Sequence, residues 1–227
     1  MSSTFNGFPA EGREFLAKLG KNNNREWFQA NKKSYEALVK RPAESIRDTL
    51  CDVLSTELGR DVQGKIFRIN RDLRFSKDKT PYNCHVRMLF WSPEDNSGSA
   101  KSSPGAAFML SIEDDALICG VGKLSFEKAQ LAIYRDRIAK ASAAKELQSI
   151  LDELVSNGAR ISDFDLAKPP PGTDKSHPFP DLLRHKGLCA WRDLDAPADL
   201  ATPKADQVIL SEFRCLWPLY AWLHKPD

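Results

Sequence analysis

Apolar residues recur at helical spacing in the first quarter of the chain, switch to strand-like alternation in the middle, and return to helical spacing afterwards. That sequence of periods narrows the fold to helices grouped around a block of strands. Phe15, Leu16 and Leu19 define one face of a short helix from Ala10, with Phe8 just before it and Gly20 expected to end it. Lys21-Asn22-Asn23-Asn24 then offers N-cap residues, and Glu26 stands three after Asn23, as in a capping box. A second helix follows, carrying Trp27, Asn31, Tyr35 and Leu38 up to Arg41-Pro42, where proline suits a first helical turn. Ile46, Leu50, Val53, Leu54 and Leu58 form the stripe of a third helix, closed by Gly59. Residues 10–59 are therefore read as helical.

Between 62 and 121 the pattern is different. Residues 62–70, 83–91, 106–112 and 116–121 are short runs rich in β-branched or aromatic side chains, each bounded by turn residues. Glu113-Asp114-Asp115 suits a hairpin connection. These runs predict an antiparallel meander of about four strands. Ser92 to Gly105 reads as a long polar insertion between two of them. Helical spacing resumes at 126–139, with Leu131, Tyr134 and Ile138, and at 141–156, with Leu147, Ile150, Leu151 and Leu154 ended by Asn157-Gly158. The proline-rich segment 168–180 is irregular and expected to run partly as polyproline II. A last helix is expected over 205–223, with Val208, Leu210, Phe213, Leu216, Trp217 and Leu219 packed inward and Pro218 kinking it. Helices on either side of a strand block predict a single α+β domain, and 227 residues can bury a sizeable core without a second one.

Thirty-three Lys and Arg oppose thirty-one Asp and Glu, a net charge of +2, which argues against a dedicated polyanion binder. Any basic function must be local. The first residues lack a charged segment followed by an apolar one, and no apolar run reaches membrane-spanning length, so a soluble cytoplasmic protein with no membrane partner is expected. Cys51, Cys84, Cys119, Cys189 and Cys215 are odd in number and scattered, and read as reduced, buried thiols.

One stretch breaks the charge balance. From Lys65 to Tyr82 the chain carries six cations and two carboxylates, and like charges about 6 Å apart at an effective dielectric of 20 repel by roughly 2–3 kcal/mol. Strand alternation places Lys65, Phe67 and Ile69 on one face and Ile66, Arg68 and Asn70 on the other, after which the alternation fails and a loop is expected. Arginine forks onto carboxylate or phosphate, and Arg68, Arg71 and Arg74 with Lys77 and Lys79 form a candidate anion site, with Ser76, Asp78 and Tyr82 as further lining. The plain alternative pairs Asp72 with Arg71 or Arg74, pairs Asp78 with a lysine, and leaves the rest solvated. Phe67, Phe75 and Tyr82 among the cations suggest base stacking, against which core packing is the expected role of the two phenylalanines. His85, at the start of the next strand, and Asp72 are the candidate proton-handling groups. His177, followed by Pro178 in the proline-rich loop, is a weaker candidate whose bland role is an exposed turn.

No zinc spacing links the histidines, and G-x-S-x-G, H-E-x-x-H and EF-hand patterns are absent. Gly120-Val121-Gly122 lacks the rest of a phosphate loop and reads as a strand end. Asp163 and Asp165 have no third metal-ligating neighbour. No metal or cofactor is expected.

Asn22-Asn23-Asn24-Arg25-Glu26-Trp27-Phe28 with Lys32 and Tyr35, and Ile66-Phe67-Arg68 leading into Arg71-Asp72-x-Arg74-Phe75-Ser76-Lys77-Asp78-Lys79-Thr80-Pro81-Tyr82, resemble an uncharacterised family of bacterial and fungal proteins classed as a domain of unknown function. His85, Gly120-x-Gly122, Arg135, Arg137, His177-Pro178, Leu182-Leu183-Arg184 and Lys186 also look like that pattern, and the resemblance covers most of the chain. It adds Lys186 to the possible pocket. Lys123-Leu124-Ser125 departs where an aromatic residue and a proline are expected, as does Pro170-Pro171-Gly172-Thr173 where Pro-Lys-Gly-Phe is typical. The resemblance implies no reaction. Three readings therefore stand: a site for a small phosphorylated or carboxylated ligand, with catalysis open; a module binding nucleic acid or another polyanion; and an internal charge network without a ligand.

Overall fold

A computed structural model describes residues 5–74, 76–95, 105–174 and 176–225. Helix α1 (Ala10–Lys21) runs through Gly20 and is closed by the Asn22 N–H, which reaches the Leu19 and Lys18 carbonyls. Helix α2 (Arg25–Ala30) is capped by Asn24, whose side chain accepts from the Trp27 N–H. Of the N-cap residues the sequence offers, Asn24 is the one used; Asn23, which has the capping-box spacing to Glu26, pairs elsewhere. From Lys32 the chain stays helical to Leu58: α3 (Lys32–Tyr35), a π-helical turn (Glu36–Lys40), then α4 (Arg41–Leu58). Pro42 lies in the first turn of α4, where its missing N–H and its ring disfavour regular α packing with the preceding turn, and the wider π turn accommodates both. Gly59, at φ +65°, ends α4 in the left-handed conformation.

Six strands follow, not about four: β1 (Gln63–Ile66), β2 (Val86–Trp91), β3 (Ala107–Ile112), β4 (Ala116–Lys123), β5 (Arg160–Ile161) and β6 (Leu188–Asp195), in the spatial order β1-β2-β3-β4-β6-β5. Pairing is antiparallel, with Gln63 opposite Trp91 and Ile66 opposite Met88 at one edge, and Arg160 opposite Trp191 at the other. The Glu113–Asp115 turn joins β3 and β4 through the Glu113 N–H and the Ala116 carbonyl, 2.9 Å apart. Helices α5 (Lys128–Ala139), α6 (Ala141–Ser156) and α7 (Ala205–His224) complete the α+β arrangement, and α7 continues through Pro218. Of the 92–105 connection, Pro93–Asp95 forms one 3-10 turn and residues 96–104 lie outside the described ones.

The chain divides into two compact units: Met1–Pro93 with Met109–Cys119 and Asp193–Glu212, and Glu94–Phe108 with Gly120–Arg192 and Phe213–Asp227. In the first, Leu16, Leu19, Ile46, Leu50 and Leu54 are fully buried together with Phe90 of β2. In the second, Phe108 stacks on Tyr220 at 4.4 Å and meets Phe213 at 5.0 Å, while Leu147, Ile138 and Leu188 are fully buried. Cys119 and Cys189 are buried as expected of reduced thiols, but Cys215 is exposed on α7, a correction to the expectation of burial. No described helix is long and apolar enough to cross a membrane.

Candidate functional site

The charged stretch forms the far end of the β1–β2 hairpin, inside the first unit. Past Ile66 the ladder holds for one more bond, Phe67 N–H to the Arg87 carbonyl at 2.9 Å. It resumes at an isolated bridge, Asn70 opposite Tyr82, flanked by bonds from Asn83 N–H to the Ile69 carbonyl and from Arg71 N–H to the Pro81 carbonyl. Three residue steps from Phe67 to Asn70 therefore face five from Tyr82 to Arg87. The two surplus residues sit on the returning strand as a bulge at Cys84-His85, which re-aims His85 out of the strand alternation.

Arg71 closes the loop that follows. Its guanidinium donates to the Asp78 carboxylate and the Thr80 hydroxyl, and more loosely to Ser76 Oγ at 3.4 Å and the Thr80 carbonyl at 3.3 Å. Asp78 also accepts the Thr80 N–H at 2.9 Å. That backbone bond, followed by Arg71 and the Thr80 hydroxyl, holds the Asp78 carboxyl down at about 2. Asp72 takes Arg74 instead, through Nε at 3.0 Å and Nη2 at 2.6 Å, and the Arg74 side chain and then its backbone N–H hold that carboxyl below its ordinary range. An ionised, arginine-bound Asp72 is a weak proton acceptor. The sequence alternative placed a lysine on Asp78, whereas an arginine holds it. Lys79 Nζ donates to the Leu73 carbonyl at 3.0 Å.

Two carboxylates thus engage two arginines. Arg68 and Lys77 are exposed and, among the described residues, have no ion-pair partner, and the same is true of Arg87 on β2, which the sequence reading passed over. Its signal was present in the strand alternation, which turns Val86 and Met88 inward and Arg87 outward. His85 is half-buried, and the charges that act on it are those of Arg87 and Arg71, opposed by the Glu113 carboxylate. Burial, and then Arg87, push its imidazole below the ordinary histidine range, so it is neutral at pH 7.

Tyr82 does not line an opening. It is buried, stacked on Phe28 at 4.1 Å, within an aromatic cluster that includes Tyr35 and Phe15. Stacking on a base is thereby denied to it. Phe67 is 47% exposed with Lys65 Nζ over its ring, which corrects the expectation of core packing. Phe75 lies outside the described residues.

His177 and Lys186 belong to the second unit. His177 Nδ1 accepts the Phe179 N–H at 3.1 Å, which places the ring proton on Nε2, 2.7 Å from the Ile138 carbonyl near the end of α5. Nε2 thus holds the proline-rich loop to that helix, while Nδ1 braces the loop itself. The Lys186 backbone N–H donates to Asp165, and its side chain is exposed. Arg137 donates to the Trp222 carbonyl at 2.9 Å and to that of Lys225, capping the end of α7. Both Gly120 and Gly122 lie in β4, where a Cβ would meet Trp191 at 2.4 Å or the Leu188 carbonyl at 2.1 Å, so close approach of β6 explains both glycines. Lys123, at the departure from the family pattern, is buried, and burial pushes its amine down.

Among the described residues no group of three or more His, Cys, Asp or Glu is placed to hold a metal ion. No curated protein matches the chain. A family model does match, over residues 11–222, and it is that of a conserved hypothetical protein family with no function attached. The match reaches into both units and includes the arginine-rich hairpin, and the chain belongs to this family, DUF2461.

Proposed function

We propose that the β1–β2 hairpin binds a small phosphorylated or carboxylated ligand through the cations its own carboxylates leave over. Between Lys65 and Arg87 the sequence holds seven cations and two carboxylates, an excess of five in a chain of net charge +2. The observation that carries the reading is the pairing pattern: Asp78 takes Arg71, Asp72 takes Arg74, and Arg68, Lys77 and Arg87 face solvent unpaired among the described residues. Arg71 and Arg74 then order the loop, Lys79 holds the Leu73 carbonyl, and Arg87 with Lys65, Arg68 and Lys77 is left to meet the anion. Cations concentrated in one hairpin attract anions more strongly than the net charge of the chain suggests. Neutral His85 is the proton acceptor of the site, because its lone pair remains available at pH 7.

A second reading, a loop-ordering network with no ligand, is favoured by the number of bonds Arg71 makes. Thermal unfolding separates the two. A ligand at a hundred times its Kd adds about 2.7 kcal/mol, several degrees for a chain of this size. Inorganic phosphate or a dicarboxylate should raise the Tm of the wild type, and Arg68→Gln with Arg87→Gln should abolish that rise without lowering the Tm in plain buffer. A wild type indifferent to either anion would leave the network reading.

A further inference from the structure

The ligand's remaining half can be read from Phe67. In an antiparallel ladder, residues that face each other project to the same side of the sheet, and so do residues two apart on one strand. Phe67 faces Arg87 through the 2.9 Å bond between its N–H and the Arg87 carbonyl, and Lys65 lies two residues earlier with its ammonium 5.4 Å from the Phe67 ring centroid. On the opposite side, Met88 and Phe90 are buried, and a Cβ on Gly64 would meet Cys51 Sγ of α4 at 2.7 Å. So the inward face of the hairpin is packed, while the outward face presents the exposed Phe67 ring between Lys65 and Arg87, with half-buried Leu89 and Trp91 further along the same face. Phe67 occupies a position where alternation would suit a polar residue, and its 47% exposure earns no core packing.

We infer that this face takes a nucleoside phosphate: the base stacks on Phe67, and the phosphate is forked by Arg87 and neutralised by Lys65. The inference rests on the anion-binding reading above and extends it. Aromatic side chains accept any base because every base has a π-face, and arginine offers phosphate two parallel donors. The excess of cations in the hairpin is opposite in sign to the phosphate and more than offsets its charge of about −2. A mononucleotide and a single strand share this chemistry, and the binding partner is one or the other.

Calorimetry on the full chain with inorganic phosphate, adenosine monophosphate and a short thymidine oligonucleotide tests it. Adenosine monophosphate should bind roughly tenfold or more tighter than phosphate, the gain expected of one stacked base. Phe67→Ser, at an exposed position, should remove that gain and leave phosphate affinity as it was. If phosphate binds and the nucleotide binds no better, or Phe67→Ser weakens both equally, the nucleotide inference falls and the anion site survives. If neither binds, both fall. An oligonucleotide that binds more tightly still, with affinity falling steeply as salt rises, assigns the base and phosphate to a strand.

Discussion

The side-chain amide of Asn23 pairs with the backbone of Tyr82 as a neighbouring strand would: its Oδ1 accepts the Tyr82 N–H at 3.0 Å and its Nδ2 donates to the Tyr82 carbonyl at 2.9 Å. The reason lies in the bridge between Asn70 and Tyr82. The ladder bonds there are made by the residues on either side, so Tyr82's own N–H and carbonyl point away from the partner strand. Asn23, just ahead of α2, supplies the missing partner and ties the N-terminal helices to the charged hairpin.

Replacing Asn23 with Ala should leave two backbone groups of a buried residue unpaired, a cost of about 1–3 kcal/mol. The Tm should fall by roughly 2–4 °C for each kcal/mol in a chain of this length. Asn23→Asp should be worse at pH 7, since an acceptor then faces the Tyr82 carbonyl. Thermal unfolding of the two variants checks this, and an aspartate variant as stable as the wild type would refute it.

Asp78 makes the loop sensitive to acid. Its folded carboxyl, held at about 2 by the Thr80 N–H and Arg71, lies below the unfolded value of 3.8. A depressed carboxyl contributes stability that is complete above the unfolded value and is lost as pH falls from there towards the folded one. Arg71→Gln should raise the Asp78 midpoint towards 3.8 and bring loop loosening to higher pH. Carbon-detected NMR titration of Asp78 in both proteins measures the shift, and an unmoved midpoint would show that Thr80 alone sets it.

His85 should report on anion binding. Its folded imidazole is depressed by burial and then by Arg87, so the stability tied to its neutral form is present above the unfolded midpoint of 6.5 and declines as pH falls below it. Arg87→Gln should raise the midpoint, and so should phosphate, because an anion at the site favours imidazolium. Proton NMR of the His85 ring with and without 10 mM phosphate, roughly a hundredfold excess over a 0.1 mM Kd, reads both effects. A midpoint that ignores saturating phosphate would place the anion away from His85.

His185, in the second unit, is a second source of acid sensitivity. It is 2% exposed, its ring lies 4.9 Å from that of Phe164, and among the described residues its Nδ1 has no hydrogen-bond partner. Burial pushes its imidazole down, with Asp165 opposing and Arg184 adding to the effect. The unfolded chain therefore takes up the proton first as pH falls through 6.5, and the folded state loses ground. In His185→Gln the fall in Tm between pH 7 and pH 5 should be shallower than in the wild type. An identical fall would assign the acid sensitivity to other groups.

Much of the secondary structure was legible from local pattern. Helix α6 occupies the predicted residues, since an apolar stripe ending in Asn157-Gly158 is a local signal, and α4 ends at Gly59 for the same reason. Strand β6 was missed. Leu188 to Asp195 reads Leu-Cys-Ala-Trp-Arg-Asp-Leu-Asp, with no β-branched residue, and it becomes a strand between β4 and β5 because Gly120 and Gly122 let it approach. Strand β5 is two residues long, too short for any period to register. Asn23 stands among several cap choices in the sequence because capping spacing is local, while its partner Tyr82 is 59 residues away.

The sequence by itself determined that helices accompany an antiparallel sheet and that the excess cations concentrate between Lys65 and Tyr82, since periodicity and charge density are properties of neighbouring residues. Only the tertiary structure decided which cations are satisfied. A two-residue bulge and an isolated bridge bring Arg71 onto Asp78 and Thr80, bury Tyr82 on Phe28, and leave Arg68, Lys77, Arg87 and the Phe67 ring facing solvent. Ion pairs depend on where side chains meet in space, and spacing along a chain does not encode that meeting once the alternation of a strand is broken.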